Sequence, residues 1–473
     1  MKFFQFVTTF LLLCFSLNAN GNTSWDRVFE SEGQDNQILA FHVLDENNAW
    51  FIGATSNSGN TQINGYRTSS GGNFSQFMLP TSSGMVIFTS ITFIDSNNGY
   101  LSGMSVDLPF KDGFDLETNI IWKTTNGGMS WEVLDDTLEE MIEKLQSFPS
   151  GEVFATSASS FYRLNGSVFE KISLPSFTGD VAALNMVTPM IGFIGGGLGY
   201  DENNTSQTPG NGFVMRTSDG GASFTLVKTG LPFKVTAASF VSDSHGWIGG
   251  YNGSSGFIYQ TTDGGSTFDA QSLPRHPSLE IEFDMPFKFT QTIEESDVTD
   301  VAGIKFFDCT RGVALGLSCL SNCNPNETEE NPTFLTVFMR TYDGGSTWTM
   351  DEHYEESMNN WGQMMPGAKI TSGLHQLAFA NPNTGYIAGQ HLMVLKYTAD
   401  SPETIPGAFP MNCDGGTNNN NNNNNNGTND PGFNESNDDG CSCRSPSKSG
   451  HYPVSIVIII GLGFILFRRR FQK

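Results

Sequence analysis

One eight-residue pattern, repeated along the chain, limits the possible folds more than any other feature. Thr124-Thr125-Asn126-Gly127-Gly128-Met129-Ser130-Trp131 returns as Thr217-Ser218-Asp219-Gly220-Gly221-Ala222-Ser223-Phe224. It returns again as Thr261-Thr262-Asp263-Gly264-Gly265-Ser266-Thr267-Phe268 and as Thr341-Tyr342-Asp343-Gly344-Gly345-Ser346-Thr347-Trp348. Fainter copies are Thr68-Ser69-Ser70-Gly71-Gly72, Asn165-Gly166-Ser167 and Thr398-Ala399-Asp400. Self-similarity at a period of a few tens of residues is the signature of stacked structural repeats.

A second motif alternates with the first: an apolar strand, a polar turn, then Gly-aromatic-x-x-Gly. Its copies are Trp50 to Gly53, Gly99 to Gly103, Gly192 to Gly196 and Gly246 to Gly250, with looser ones at Gly312 to Gly316 and Gly385 to Gly389 and a worn one at Gly151-Glu152-Val153-Phe154. Seven pairs of motifs fit between residues 25 and 398, roughly 53 residues per unit, a little above the period of a four-stranded propeller blade. Composition agrees. Charged residues make up 15%, with 52 Gly and 39 Phe in 473 residues, which disfavours helical bundles and coiled coils and suits short strands with tight turns.

The first motif has a physical cause. Gly accepts the positive φ that tight turns need, the Asp carboxylate can accept N–H bonds inside the turn, and Ser or Thr can close it. The aromatic that follows (Trp131, Phe224, Phe268 or Trp348) is then expected to pack between blades. Each preceding strand is apolar up to one polar residue, as in Ile121-Trp122-Lys123 and Val214-Met215-Arg216, which suits buried or half-buried strands.

These boxes resemble the Asp-box, or bacterial neuraminidase, repeat. Alternating with Gly-aromatic-x-x-Gly over about 370 residues, they are most similar to the seven-bladed propellers of the photosystem II assembly and stability factor type, and also to sortilin-type propellers. The resemblance implies an all-β, single seven-bladed propeller over residues 25–400, with Asn126, Asp219, Asp263 and Asp343 as structural turn residues. Asn126 departs from the pattern. Sialidases share the boxes but need three arginines clamping a carboxylate and a Tyr/Glu pair. Of the seven arginines in the body, Arg67, Arg163, Arg216 and Arg340 recur at the repeat positions, leaving only Arg27, Arg275 and Arg311 outside the repeat. The chain also lacks the basic, arginine-rich face associated with client binding in the assembly factors.

The box carboxylates sit one per blade, too dispersed for the six to eight oxygens of a calcium site. The histidines show no zinc-ligand spacing. Glu280, Glu282, Asp284, Glu294 and Glu295 could pair as glycosidase carboxylates, but the expectation for this acidic stretch is a solvated loop. We therefore expect no catalytic residue, cofactor or metal. A net charge of −25 disfavours nucleic acid as a partner. Insertions at 199–210, 274–297, 317–332 and 351–373 are where a binding surface would form. The last carries His353, Tyr354 and Trp361 with three methionines, a set suited to an adaptable contact. Cys319 and Cys323 could close a small loop, with Cys309 expected on the preceding strand; pairing is not deducible from sequence.

The two ends concern the compartment. Residues 1–21 read as a secretory signal peptide: a short basic start, an apolar run containing Cys14, and a small-x-small cleavage pattern. Residues 401–440, with an unbroken Asn run from 418 to 426, read as a disordered stalk. Residues 441–473 carry Cys441-Ser442-Cys443, the apolar segment 454–467 and Arg468-Arg469-Arg470. Fourteen residues at 1.5 Å cover about 21 Å, near spanning length once flanking residues are included, with the arginines cytoplasmic. The order of these three parts resembles the C-terminal sorting signal of myxobacteria and related bacteria, which implies processing at Cys441 and Cys443. A plain transmembrane receptor is the other reading of this tail. The expectation is a non-enzymatic binding propeller anchored at the cell surface or outer membrane, recognising a protein or glycan through blade loops; the alternative is a secreted glycan-active hydrolase.

Overall fold

The computed structural model describes residues 25–31, 36–57, 60–81, 85–106, 117–199, 209–275, 279–284, 288–293, 296–321, 333–350, 374–389, 392–399 and 413. They form seven four-stranded antiparallel sheets and one extra hairpin. The N-terminal strand β1 (Trp25–Phe29) is held for the last sheet. Blade 1 is β2 (Gln37–Val43), β3 (Ala49–Asn57), β4 (Asn60–Thr68) and β5 (Ser75–Phe77); blade 2 is β6 (Met85–Phe93), β7 (Gly99–Val106), β8 (Glu117–Thr124) and β9 (Glu132–Leu138). Blade 3 is β10 (Lys144–Ser147), β11 (Val153–Thr156), β12 (Phe161–Asn165) and β13 (Val168–Ile172); blade 4 is β14 (Asp180–Met186), β15 (Gly192–Leu198), β16 (Gly210–Thr217) and β17 (Thr225–Leu231). Blade 5 is β18 (Lys234–Phe240), β19 (Gly246–Tyr251), β20 (Gly256–Thr261) and β21 (Asp269–Ala270). The hairpin β22 (Leu279–Asp284) and β23 (Lys288–Ile293) precedes blade 6, which is β24 (Val298–Phe306), β25 (Gly312–Ser321), β26 (Thr333–Thr341) and β27 (Thr349–Met350). Blade 7 is β28 (Leu374–Asn381), β29 (Thr384–Gly389) and β30 (Val394–Thr398), completed by β1 pairing antiparallel with β30. The ring is thus closed by the start of the chain.

The core is divided among the blade interfaces. Seven buried clusters each join two neighbouring blades, such as Trp50, Phe88, Phe93 and Trp122 between blades 1 and 2, or Trp247, Ile258, Val301 and Phe306 between blades 5 and 6. Ring closure is therefore what buries the apolar faces, because one blade has no opposite layer of its own.

The glycine motif now has a geometric cause. The first Gly lies opposite the aromatic ending the innermost strand, as in Gly99↔Phe93, Gly246↔Phe240 and Gly312↔Phe306. A Cβ there would sit 2.1–2.6 Å from that ring. The ring folds over the glycine and stacks on the motif aromatic of the preceding blade: Phe93 on Trp50 at 3.8 Å, Phe240 on Phe193 at 3.6 Å and Phe306 on Trp247 at 3.4 Å. The last Gly faces a β-bulge in the innermost strand of six blades, opposite Ile38, Phe88, Val181, Val235, Val301 and Leu374. At Gly250 a Cβ would lie 1.8 Å from the Lys234 carbonyl oxygen, so only glycine fits.

Two expectations need correction. Residues 279–284 and 288–293 are paired strands, because Leu279, Ile281 and Phe283 alternate with Glu280, Glu282 and Asp284 at the period of a sheet. Cys309 lies in the turn after β24 and is disulfide-bonded to Cys413, 104 residues away. Arg27, Arg275 and Arg311, the arginines outside the repeat positions, each form an ion pair, with Glu30, Asp297 and Asp308. Residues 1–21, read above as a signal peptide, and Cys323, Cys441, Cys443 and the apolar segment 454–467 lie outside the described residues. Among the described residues no helix is long and apolar enough to cross a membrane.

Candidate functional site at the insertion face

Antiparallel order sorts the connections onto two faces. Turns from the first strand of a blade to its second, and from its third to its fourth, lie at one end. All other connections lie at the opposite end.

The first end, the turn face, is regular. In the Gly-Gly turns Thr217 Oγ1 donates to Asp219 Oδ1 (2.8 Å) and accepts from Gly221 N–H (2.9 Å), while Asp219 Oδ1 accepts from Ser223 N–H (3.0 Å). Asp263 and Asp343 repeat this network with Thr261 and Thr267, and with Thr341 and Thr347. Asn126 reproduces it as a neutral amide, bonding Thr124 and Ser130. The Ser223 hydroxyl, then its N–H, holds the Asp219 carboxyl down at about 2. Gly127, Gly220, Gly264 and Gly344 adopt φ near +70° and donate to the facing turn of the same blade, as Gly264 N–H does to Ser244 O at 2.8 Å. Blades are also cross-linked here: Trp50 Nε1 donates to Gly127 O (3.2 Å), Trp247 Nε1 to Gly344 O (2.8 Å) and the Tyr386 hydroxyl to Gly71 O (3.0 Å). The aromatics after the turns complete the wedges: Trp131 lies 6.2 Å from Phe77 of blade 1, Phe224 lies 4.7 Å from Phe161 of blade 3, Phe268 packs on the cluster shared with blade 4, and Trp348 meets Phe306 edge-on at 5.8 Å. These residues are scaffold, one set per blade.

The second end, the insertion face, is irregular. All four insertions begin and end on it: between β15 and β16, β21 and β24, β25 and β26, and β27 and β28. A fifth, between β7 and β8, went unnoticed in the sequence because residues 107–116 carry neither motif. His353, Tyr354 and Trp361 fall in the connection from β27 to β28 and lie outside the described residues. The four leave from blade 4, from the link between blades 5 and 6, from blade 6 and from the link between blades 6 and 7, so their flanking strand ends lie in one sector of the face.

Beneath that sector the channel mouth is charged. Asp180, Lys234 and Asp300 occupy the same position in blades 4, 5 and 6, just before the bulge that each innermost strand makes. Blade 3 adds Glu143 and Lys144, and Tyr251 stands across the ladder from Lys234. Lys234 Nζ lies 3.5 Å from Asp180 Oδ2. Desolvation raises the Glu143 carboxyl, partly offset by Lys144 and Lys234, and lowers the Lys144 ammonium. Desolvation pushes Asp300 up to about 6, and its buried Oδ1 has no hydrogen-bond partner. Tyr251 is pushed up to about 12 by desolvation, then by Asp300 and Asp180. Within this arc Asp300 alone keeps a buried oxygen without a partner, while Lys144 and Asp180 reach solvent and Lys234 is paired with Asp180. No spacing rule could reveal it, since the members come from four blades.

Among the described residues no group of three or more His, Cys, Asp or Glu is placed to hold a metal ion. A shallow hollow lined by Phe307, Arg311, Val313, Arg340, Thr341 and Pro382 lies on the turn face, away from this charged arc.

Fold and site together define a seven-bladed β-propeller with one conserved-geometry face and one elaborated face. No protein-family model and no curated protein matches the chain. Among solved structures it is similar to YCF48 bound to a D1 peptide, at 16% identity and a TM-score of 0.51 over 81% of this chain and 100% of that one. The WD40 β-propeller domain of Doa1 aligns at 11% identity and TM-score 0.44, covering 80% and 98%, and the GH74 enzyme of Niastella koreensis at 10% and 0.25, covering 77% and 91%. At these identities the first likeness speaks for the fold.

Proposed function

We propose that this protein is a binding propeller, displayed at the cell surface on an asparagine-rich stalk, that holds a protein segment against its insertion face. The observation that carries the reading is that the strands flanking the four insertions end on one face of neighbouring blades, the same strand ends that carry Glu143, Lys144, Asp180, Lys234 and Asp300. The loops would supply the contact area and the arc the polar anchor, as in binding surfaces generally. YCF48, a propeller of the same fold, is known bound to a peptide, which favours a protein over a glycan. The turns themselves fit the Asp-box pattern that the sequence suggests, and the tail fits a sorting signal processed at Cys441 and Cys443.

The test has two arms on the full chain. Intact mass and membrane fractionation, with Cys441 and Cys443 each replaced by Ser, read out anchoring and processing. Arrays of peptides and of glycans, probed with wild type, Lys234→Gln, Asp300→Asn and the turn-face control Asp219→Asn, read out binding. Peptide binding lost in the first two variants and kept in the control supports the proposal. Release of sugar from a glycan would replace it with the hydrolase reading.

A further inference from the structure

The disulfide decides which face the tether leaves behind. The last strand of blade 7, β30, runs toward the turn face, where Ala399 N–H donates to Asn383 O at 2.9 Å. Cys309 sits in the turn between β24 and β25, also on the turn face, and Thr310 beside it accepts from Gly344 N–H at 2.8 Å. Its bond to Cys413 therefore brings the chain back to the turn face one blade away, at blade 6. Cys413 is half-buried there and packs against the cluster shared by blades 5 and 6. Of the 401–440 stretch read as a stalk, the part from Asp414 onward lies beyond this bond. Strand β1 runs from the turn face as well, so the N-terminal residues join the propeller on that side.

We infer that the Cys309–Cys413 disulfide is a strap that fixes the stalk's exit at the turn face of blade 6, so that the anchored protein holds its turn face toward the membrane and its insertion face outward. This rests on the surface-anchored reading above. If the 26 residues from 414 to 439 act as the flexible tether their composition suggests, their root-mean-square span would be about 28 Å. A tether that short, attached at one point of the turn face, leaves little room for a partner beneath the propeller and none of the crowding above it. The insertions and the charged arc are thereby placed where a partner from another cell or the medium arrives first.

Two measurements on the full chain test this. For the strap, a protease site engineered between residues 400 and 412 is cut in the purified protein. The tail should stay with the propeller until reductant is added; release without reductant would overturn the strap. For the orientation, one epitope tag is inserted at the exposed Gly166 turn on the turn face and another, in a separate variant, between Ser321 and Thr333 on the insertion face. Antibody Fab binding to intact cells should favour the insertion-face tag at least about five-fold, and become equal after detergent solubilisation. Equal access on cells, with the protein in the membrane fraction, would overturn the orientation alone. Protein found wholly in the medium would overturn the anchoring reading and the orientation with it.

Discussion

Aspartate behaves in opposite ways at the two ends of this propeller. On the turn face Asp219 accepts from the hydroxyls of Thr217 and Ser223 and from the Ser223 N–H, and its carboxyl is held at about 2. At the channel mouth Asp300 has one oxygen buried without a partner, and its carboxyl is pushed up to about 6. One end uses charge to close turns and is satisfied by its own chain. The other holds charge at a cost, which is where a ligand would gain most by supplying the missing partner.

Several variants would break or sharpen that contrast. The largest effect is expected on the blade interfaces next to the turn face. Trp247 is fully buried, stacks on Phe306 and donates to Gly344 O; Trp247→Ala should cost about 3–5 kcal/mol in urea unfolding. Cys309→Ser comes next, at about 2–4 kcal/mol, because the disulfide closes a long loop in the unfolded chain. A loss much below 1 kcal/mol would mean that Cys413 adds little to the body.

The channel mouth should respond in the other direction. Because the folded carboxyl of Asp300 is raised above its unfolded value of 3.8, wild type should lose stability as pH climbs from about 4 to about 6. Asp300→Asn should remove that loss and stabilise the protein by about 1–3 kcal/mol at pH 7. Destabilisation instead would show that the Asp300 charge is satisfied and the contrast false. The smallest effects belong to the exposed turns. Asp219→Ala should cost about 1 kcal/mol, limited by solvent screening, and Asp219→Asn almost nothing, since Asn126 already keeps the same network in blade 2. The Asp219 contribution is present above pH 3.8 and fades as pH falls toward about 2, a trend opposite in sign to that of Asp300. Thermal melts across pH 2–7 on the two variants would resolve both slopes.

Blade 3 sharpens the comparison from within the scaffold. It has no Gly-Gly turn and no bulge in β10, and it relies on side chains instead. Glu140 accepts from Ser157, Ser159 and Ser160 and pairs with Lys171. Burial works to raise Glu140, but Lys171 and the three hydroxyls outweigh it and leave it at about 2. Gln146 spans to blade 4, accepting from Met186 N–H and donating to its carbonyl. A worn repeat is thus repaired by polar bridges that follow no motif.

What the sequence alone determined is the repeat. Seven blades, the Thr-Asp-Gly-Gly turns and the aromatics that follow them were legible because each rests on a local rule: a positive φ, a hydroxyl two residues from a carboxylate. Such rules recur at a fixed period and need no knowledge of what lies across the ring. The tertiary structure alone decided the rest. Asp180, Lys234 and Asp300 are scattered through the sequence and become neighbours only when blades 4, 5 and 6 set the same strand position around one channel. Cys309 and Cys413 are 104 residues apart and pair because ring closure returns the end of the chain to the face where blade 6 turns. Alternation in residues 279–284 signalled strand, yet only the pairing of β22 with β23 showed that the acidic insertion is folded. Period and turn chemistry act over a few residues; sites and cross-links depend on closure, which brings together residues that no local rule connects.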